Sequence, residues 1–343
     1  MPNQLVECVP NISEGRDQSI IDAISNACSD IAGAKLLGVE PDADYNRTVL
    51  TIAGKPDAVS DAAFAIIKKS FELIDMSKHS GEHPRIGAVD VCPFIPLSGI
   101  SMDECADLSK SLAKRVSNEL GLPTFLYGSA ASSSDRELLS DLRKGEYEGL
   151  RERLENGGPH LPDYGPRDWN PKTEKFGAVV IGSRGILVAY NVNVDEKDAR
   201  TAKIAGSLIR SSGRLLKSKD GKRTRIPGML EMVQGMGLTL ESHGISQVSM
   251  NLRDVEVTPM HIAFEAVKMI VNDHGVETRG SELVGLVPLS AMIAAGRWYA
   301  DESTTADKDL VTAAIDGLGL SSLSNFMPNE RIIEWALASE GIE

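Results

Sequence analysis

Two of the chain's six histidines fall within His79-Ser80-Gly81-Glu82-His83-Pro84-Arg85, which runs into the apolar segment Ile86-Gly87-Ala88-Val89-Asp90-Val91-Cys92-Pro93-Phe94-Ile95-Pro96-Leu97. Imidazole exchanges protons near neutral pH, so the chemistry this stretch points to is general acid/base transfer. Pro84 fixes its own φ and pushes the residue before it into an extended conformation. His83 is thereby set where a turn becomes a strand. Glu82 stands beside it, but neighbours in an extended segment point to opposite faces. The same letters fit H-x-x-E-H, a zinc-peptidase pattern that needs both histidines on one helical face. Gly81 in the middle and Pro84 immediately after oppose that helix, and no third ligand stands at a recognised spacing. No metal is expected. Spacing alone leaves His83 either a proton carrier or a solvated loop residue.

Further candidates follow from residue type. Glu40, Asp42 and Asp44 crowd one turn. Arg47 opens a strand, where its planar fork suits bidentate carboxylate binding, although a strand-edge arginine paired with nearby acids reads the same way. Gly165-Pro166-Arg167-Asp168-Trp169 offers a flexible backbone and an indole able to stack on a flat ring, and Gly177 and Arg184 stand in turns further on. The basic run Lys217-Ser218-Lys219-Asp220-Gly221-Lys222-Arg223-Thr224-Arg225 reads as a solvated loop. Cys8 and Cys92 read as packing residues, and Met229, Met232 and Met236 as core.

The elements that must position these groups come from periodicity. Residues 4–10, 34–40, 47–54 and 86–95 read as strands, with helices over 18–30 (capped by Asp17) and 57–75. The order is βαββαβ, the split motif of ferredoxin-like folds. A helix over 102–120, a strand over 123–128 and short helices over 135–143 and 146–155 extend this half. From residue 185 the order recurs: strand 185–194, helix 196–211, strands 229–240 and 246–257, helix 259–273, strand 281–287, then a helix over 289–298. The fold class is α/β, with expected boundaries at 1–180, 181–300 and a helical tail over 301–343.

At 343 residues the chain can bury substantial cores. Its net charge of −13 argues against a nucleic-acid partner, which demands a basic footprint. The apolar runs fall short of the ~20 residues of a membrane helix. No basic-then-apolar leader opens the sequence, and four cysteines without CxxC pairing fit a reduced, cytoplasmic protein.

Gly81-Glu82-His83-Pro84-Arg85-Ile86-Gly87-Ala88-Val89-Asp90-Val91-Cys92-Pro93-Phe94-Ile95-Pro96 closely resembles the signature of glutamate formimidoyltransferases. So do Leu5-Val6-Glu7-Cys8-Val9-Pro10-Asn11-Ile12-Ser13-Glu14-Gly15, Asn46-Arg47-Thr48-Val49 and Ser281-Glu282-Leu283-Val284-Gly285-Leu286-Val287-Pro288. The likeness runs in order from about residue 4 to residue 300. It implies transfer of a formimidoyl group between N-formimidoyl-L-glutamate and tetrahydrofolate in histidine degradation, with folate as substrate and no metal. It further implies two ferredoxin-like halves with mixed sheets facing each other, helices outside, a folate tunnel between them, and a homodimer. His83 matches the family's catalytic histidine, and Glu40 aligns with its usual aspartate. Tyr45 stands where many relatives have histidine. Arg47, Gly165, Pro166, Trp169, Gly177 and Arg184 become substrate-binding candidates. Both ligands are anionic, so an acidic chain must gather basic groups locally. The rival readings are an N-formylglutamate-dependent formyltransferase and a folate-binding module without turnover. The ~40 residues left over are too few for a further domain such as a cyclodeaminase.

Overall fold

The computed structural model describes residues 4–43, 45–81, 83–157, 161–218, 220–339 and 341–342. Asp44 and Glu82, weighed above, lie outside the described residues, as do 158–160 and Lys219 in two of the loops. The chain divides into two compact units, residues 1–185 with 337–343, and residues 186–336.

In the first unit the mostly apolar run Leu5-Val6-Glu7-Cys8, buried throughout, forms β1 (Leu5–Cys8). Pro10 has no N–H to give a ladder, so the strand breaks and resumes as β2 (Asn11–Ile12). The sequence reading ends the first strand at residue 10, before residues 11–12. They return to the sheet instead because Asn11 still finds partners on both sides, Val49 and Val91. Then follow α1 (Gln18–Ser25), β3 (Ala34–Asp42), β4 (Arg47–Gly54), α2 (Pro56–Leu73), β5 (Val89–Ser98), α3 (Met102–Leu120), β6 (Thr124–Gly128), α4 (Leu139–Leu142), α5 (Leu150–Asn156), α6 (Pro171–Phe176) and β7 (Val179–Ser183). Asp17 caps α1 by accepting from the amides of Ser19 and Ile20. Ser101 and Glu104 form a capping box on α3.

The sheet runs β3–β4–β1/β2–β5–β7–β6, antiparallel as far as β5 and parallel from β5 through β7 to β6. Helices α1 to α3 cover one face over Val6, Cys8, Ile12, Leu50, Ile52, Cys92 and Phe94. On the other face Val91, Phe125, Tyr127 and Val180 pack with Leu142, Leu150 and Leu154 of α4 and α5. Each such aliphatic side chain contributes about 1.5–3 kcal/mol on burial. A one-residue slip of β5 would exchange its two buried faces, so register is tightly specified.

The second unit comprises β8 (Val188–Val194), α7 (Arg200–Ile209), β9 (Arg214–Lys217), β10 (Arg223–Ile226), β11 (Val233–Leu240), β12 (Ile245–Leu252), α8 (Met260–Asp273), β13 (Thr278–Val284), α9 (Leu289–Tyr299), α10 (Asp307–Leu318), α11 (Pro328–Arg331) and the start of α12 (Ile333–Ser339). Its sheet runs β11–β12–β8–β13, antiparallel throughout. This is the strand arrangement of β3–β4–β1/β2–β5, so both units carry the split βαβ motif.

Three readings change here. The basic run is not a plain loop: Arg223, Thr224 and Arg225 pair with Lys217, Leu216 and Leu215 in a two-stranded ribbon. Met229, Met232 and Met236 are exposed rather than core, at 51%, 37% and 60%. Alternation explains Met236, which lies opposite Ser249 on the polar face of β11. The segment after residue 300 does not stand apart as a tail either: Val311, Ala314 and Leu318 of α10 belong to the second unit's core. Among the described residues no helix is long and apolar enough to cross a membrane.

Candidate active site

The β3–β4 connection is short. Asp42 pairs with Arg47 across the two strands, and Asn46 turns the corner at φ +48°, a left-handed conformation that asparagine tolerates better than most residues. Asn46 is buried and ties three segments together. Its Oδ1 accepts from the Gly15 amide (3.0 Å), its Nδ2 donates to the Ser80 carbonyl (2.9 Å), and its own carbonyl accepts from His79 Nε2 (3.1 Å). The approach is so close that a Cβ on Gly81 would lie 2.4 Å from the Tyr45 carbonyl, and one on Gly15 only 2.2 Å from that of Asp42. Gly81 therefore serves proximity rather than an unusual dihedral. Asn46→Ala removes two side-chain hydrogen bonds at about 0.5–1.5 kcal/mol each and adds about 1–2 kcal/mol of backbone strain. It should lower unfolding free energy by roughly 2–5 kcal/mol in urea titration. A loss below ~0.5 kcal/mol would mean that Asn46 does not hold these segments.

The latch brings Arg47 to His83. Arg47 Nη1 lies 2.8 Å from His83 Nε2. Guanidinium can only donate, so Nε2 is the unprotonated nitrogen and the ring is neutral. Tyr45 meets the imidazole edge-on, with centroids 6.1 Å apart, and its ring lies 5.8 Å from the Arg47 guanidinium carbon. Burial, reinforced by the positive charges of Arg47, Arg143 and Arg85, pushes the His83 pKa down to about 4, with Asp42 opposing. Burial also lowers the Arg47 pKa, again against Asp42. Arg47 Nε is buried without a hydrogen-bond partner.

Two ion pairs, one buried and one with its acids in solvent, support this pair of residues. Asp90 on β5 is 1% exposed and accepts from the Ile86 amide (3.0 Å) and from both Nε (3.2 Å) and Nη2 of Arg143. Arg85 grips Glu148 through Nη1 (2.8 Å) and Nη2 (2.6 Å), touches Glu146 (3.1 Å), and donates Nε to His79 Nδ1 (3.2 Å). His79 must then carry its proton on Nε2, where it donates to Asn46. Burial lowers its pKa too. The zinc pattern fails on this geometry: residues 79–81 are not helical and both imidazoles engage guanidinium groups. Beside them a cleft of about 520 Å³ is lined by His79, Ser80, Gly81, Arg85, Gly145, Glu146 and Glu148; His83 and Arg47 are not among its walls.

The structure groups some predicted residues and separates others. Glu40 lies two residues before Asp42 on the same face of β3, opposite Val49. Asp42 is the acid of this turn whose charge acts on both His83 and Arg47. Trp169 packs on Tyr147 (5.8 Å between centroids) and on the small core of α4 and α5. Residues 171–176 form α6 rather than loop, capped by Asn170. Gly165 (φ +93°) makes room for the Leu122 carbonyl, Gly177 (φ +77°) for that of Ile86, and Pro166 lies half-buried next to Gly165. Arg184 follows β7, its amide bonded to Phe94 and its guanidinium to the Gly185 carbonyl. Sequence reasoning missed Asp90, Arg143 and Asn46. Asp90 carried a signal, since a carboxylate inside an apolar strand demands a partner. Arg143 carried none.

Comparisons with known proteins follow this geometry. Residues 5–184 match the profile of the "Formiminotransferase domain, N-terminal subdomain" and residues 189–338 that of the "Formiminotransferase domain". The chain is 44% identical over 341 residues to a formimidoyltransferase-cyclodeaminase of Dictyostelium discoideum, covering 98% of this chain and 61% of that protein. It is 39% identical to the glutamate formimidoyltransferases of Streptococcus pyogenes serotype M1 (86% of this chain, 93% of the relative) and Thermoplasma acidophilum (90% and 98%). It thus spans about three-fifths of the length of the bifunctional relatives.

Proposed function

We propose that this chain, which belongs to the formiminotransferase domain family, transfers the formimidoyl group of N-formimidoyl-L-glutamate to N5 of tetrahydrofolate. The observation that carries this reading is the neutral His83 imidazole with its Nε2 lone pair turned to a single guanidinium. N5 attacks the amidine carbon and a C–N bond forms. The N5 proton passes to His83 Nε2, which returns it to the glutamate nitrogen as the old C–N bond breaks, so protons balance over the cycle. Asp42, with Glu40 behind it, offers a counter-charge to the cationic amidinium. Arg47 offers its fork to a substrate carboxylate.

Tetrahydrofolate enters as substrate, and the reading requires no metal. No group of three metal-ligating side chains occurs among the described residues. A cytoplasmic location fits the four buried, unpaired cysteines, and sedimentation would test the homodimer this reading includes. The deciding assay supplies purified protein with tetrahydrofolate and either N-formimidoyl- or N-formyl-L-glutamate. The expected result is glutamate release and formimidoyl-folate formation from the first donor. Faster turnover of the formyl donor, or folate binding with neither product, would contradict the proposal.

A further inference from the structure

The nitrogen that must accept a proton is, at rest, already occupied. Arg47 Nη1 fills the Nε2 lone pair at 2.8 Å, and a guanidinium cannot exchange roles and accept. The base is therefore blocked until Arg47 moves. Three arginines lie near enough to act on His83, and they are not equally held. Arg85 is fixed by two contacts to Glu148 and one to Glu146. Arg143 is fixed by Asp90. Arg47 spends Nη1 on the imidazole and leaves a buried Nε with no hydrogen-bond partner, so its fork has donors in reserve for a bidentate anion.

We propose, resting on the activity assigned above, that Arg47 is a carboxylate-released cap: a carboxylate of the glutamate-bearing substrate draws the guanidinium off Nε2, and only then does His83 become a working base. The groups that face His83 after release are Arg143 beyond α4, Arg85 on its own segment, Tyr45 of the β3–β4 turn and Asp42 on β3. The first two are held by their acids, so release of Arg47 removes its positive charge from the ring while the Asp42 charge still acts on it. Burial still holds the ring down, but loss of the Arg47 contact removes the next largest cause of its low pKa, so the ring regains basicity as a proton carrier. Without substrate the imidazole stays capped and unreactive, and solvent protons do not compete for it.

The test is an NMR titration of the folded chain labelled at histidine Cε1 and both ring nitrogens, with the His83 signal assigned by its loss in His83→Gln. In the free protein, His83 should appear as the Nδ1–H tautomer at pH 7 and titrate near 4. Saturating L-glutamate, against sodium chloride of equal ionic strength, should raise that midpoint by at least one pH unit. Arg47→Gln should show the raised midpoint without glutamate and no further rise with it. Arg47→Lys, which keeps the charge but loses the fork, guards against a misfolded Gln variant and should leave the midpoint low with a blunted response to glutamate. A midpoint near 6.5 in the free protein overturns the proposal. So does a glutamate-bound protein, seen by shifts elsewhere, whose His83 midpoint does not move. In the latter case an active transferase keeps the assigned function and loses only the cap. A chain that transfers nothing to folate loses both.

Discussion

His83→Ala is expected to slow formimidoyl transfer by roughly two to four orders of magnitude, the range supplied by a positioned acid/base group, with folate affinity little changed. The size of the loss follows from the lack of a substitute. His79, four residues away, has both ring nitrogens committed, one to the Asn46 carbonyl and one to Arg85. Freeing it would undo the latch that positions Arg47. His83→Gln sharpens the result, because its carbonyl can still accept from Arg47 yet carries no exchangeable proton near neutral pH. Rate constants for the two variants should fall together, while folding stability falls less in Gln than in Ala. Near-native turnover in His83→Gln would mean that the imidazole only props Arg47.

The second large effect is on stability. Asp90→Ala should destabilise the first unit by about 3–5 kcal/mol, the penalty for leaving one partner of a buried ion pair unmatched. For a unit of this size, each kcal/mol moves the melting temperature by about 2–4 °C, so a fall of roughly 6–20 °C is expected. Asp90 is 1% exposed, and its loss strands the Arg143 guanidinium among Arg47 and Arg85. The pair itself is not a source of net stability. Burial raises the Asp90 pKa more than Arg143 lowers it, so the charged carboxylate is held at a cost. The double variant Asp90→Ala with Arg143→Leu should therefore recover most of the lost melting temperature while remaining impaired in transfer. Differential scanning calorimetry of the wild type, both single variants and the double variant decides this, and additive losses would show the two residues to be uncoupled.

Much of the site could be read from the chain, and the exceptions share a cause. His83 was legible because Pro84 constrains it locally, and Arg47 because its strand begins at Asn46. The reach of β3 is a matter of where a hairpin turns. β3 continues two residues past its expected end, as far as Asp42, and nothing in the acidic run fixes that register. Glycine is ambiguous in a different way. Gly165 and Gly177 read as room for a ligand, each also makes room for a neighbouring carbonyl, and no sequence says which body requires the space. Trp169 likewise found a protein ring, Tyr147, before any ligand. Arg143 stands 53 residues from Asp90, joined to it by tertiary packing alone. The ribbon of β9 and β10 lacked the strict alternation that marks a half-buried strand, since all eight of its residues lie at least partly in solvent.

The most direct test of His83 as the proton carrier is chemical rescue. Single-turnover transfer by His83→Ala, with tetrahydrofolate and N-formimidoyl-L-glutamate saturating, should accelerate as free imidazole is added, in proportion to its neutral form, while the wild type is indifferent to it. Wild-type rates in His83→Ala without any added imidazole would contradict the account.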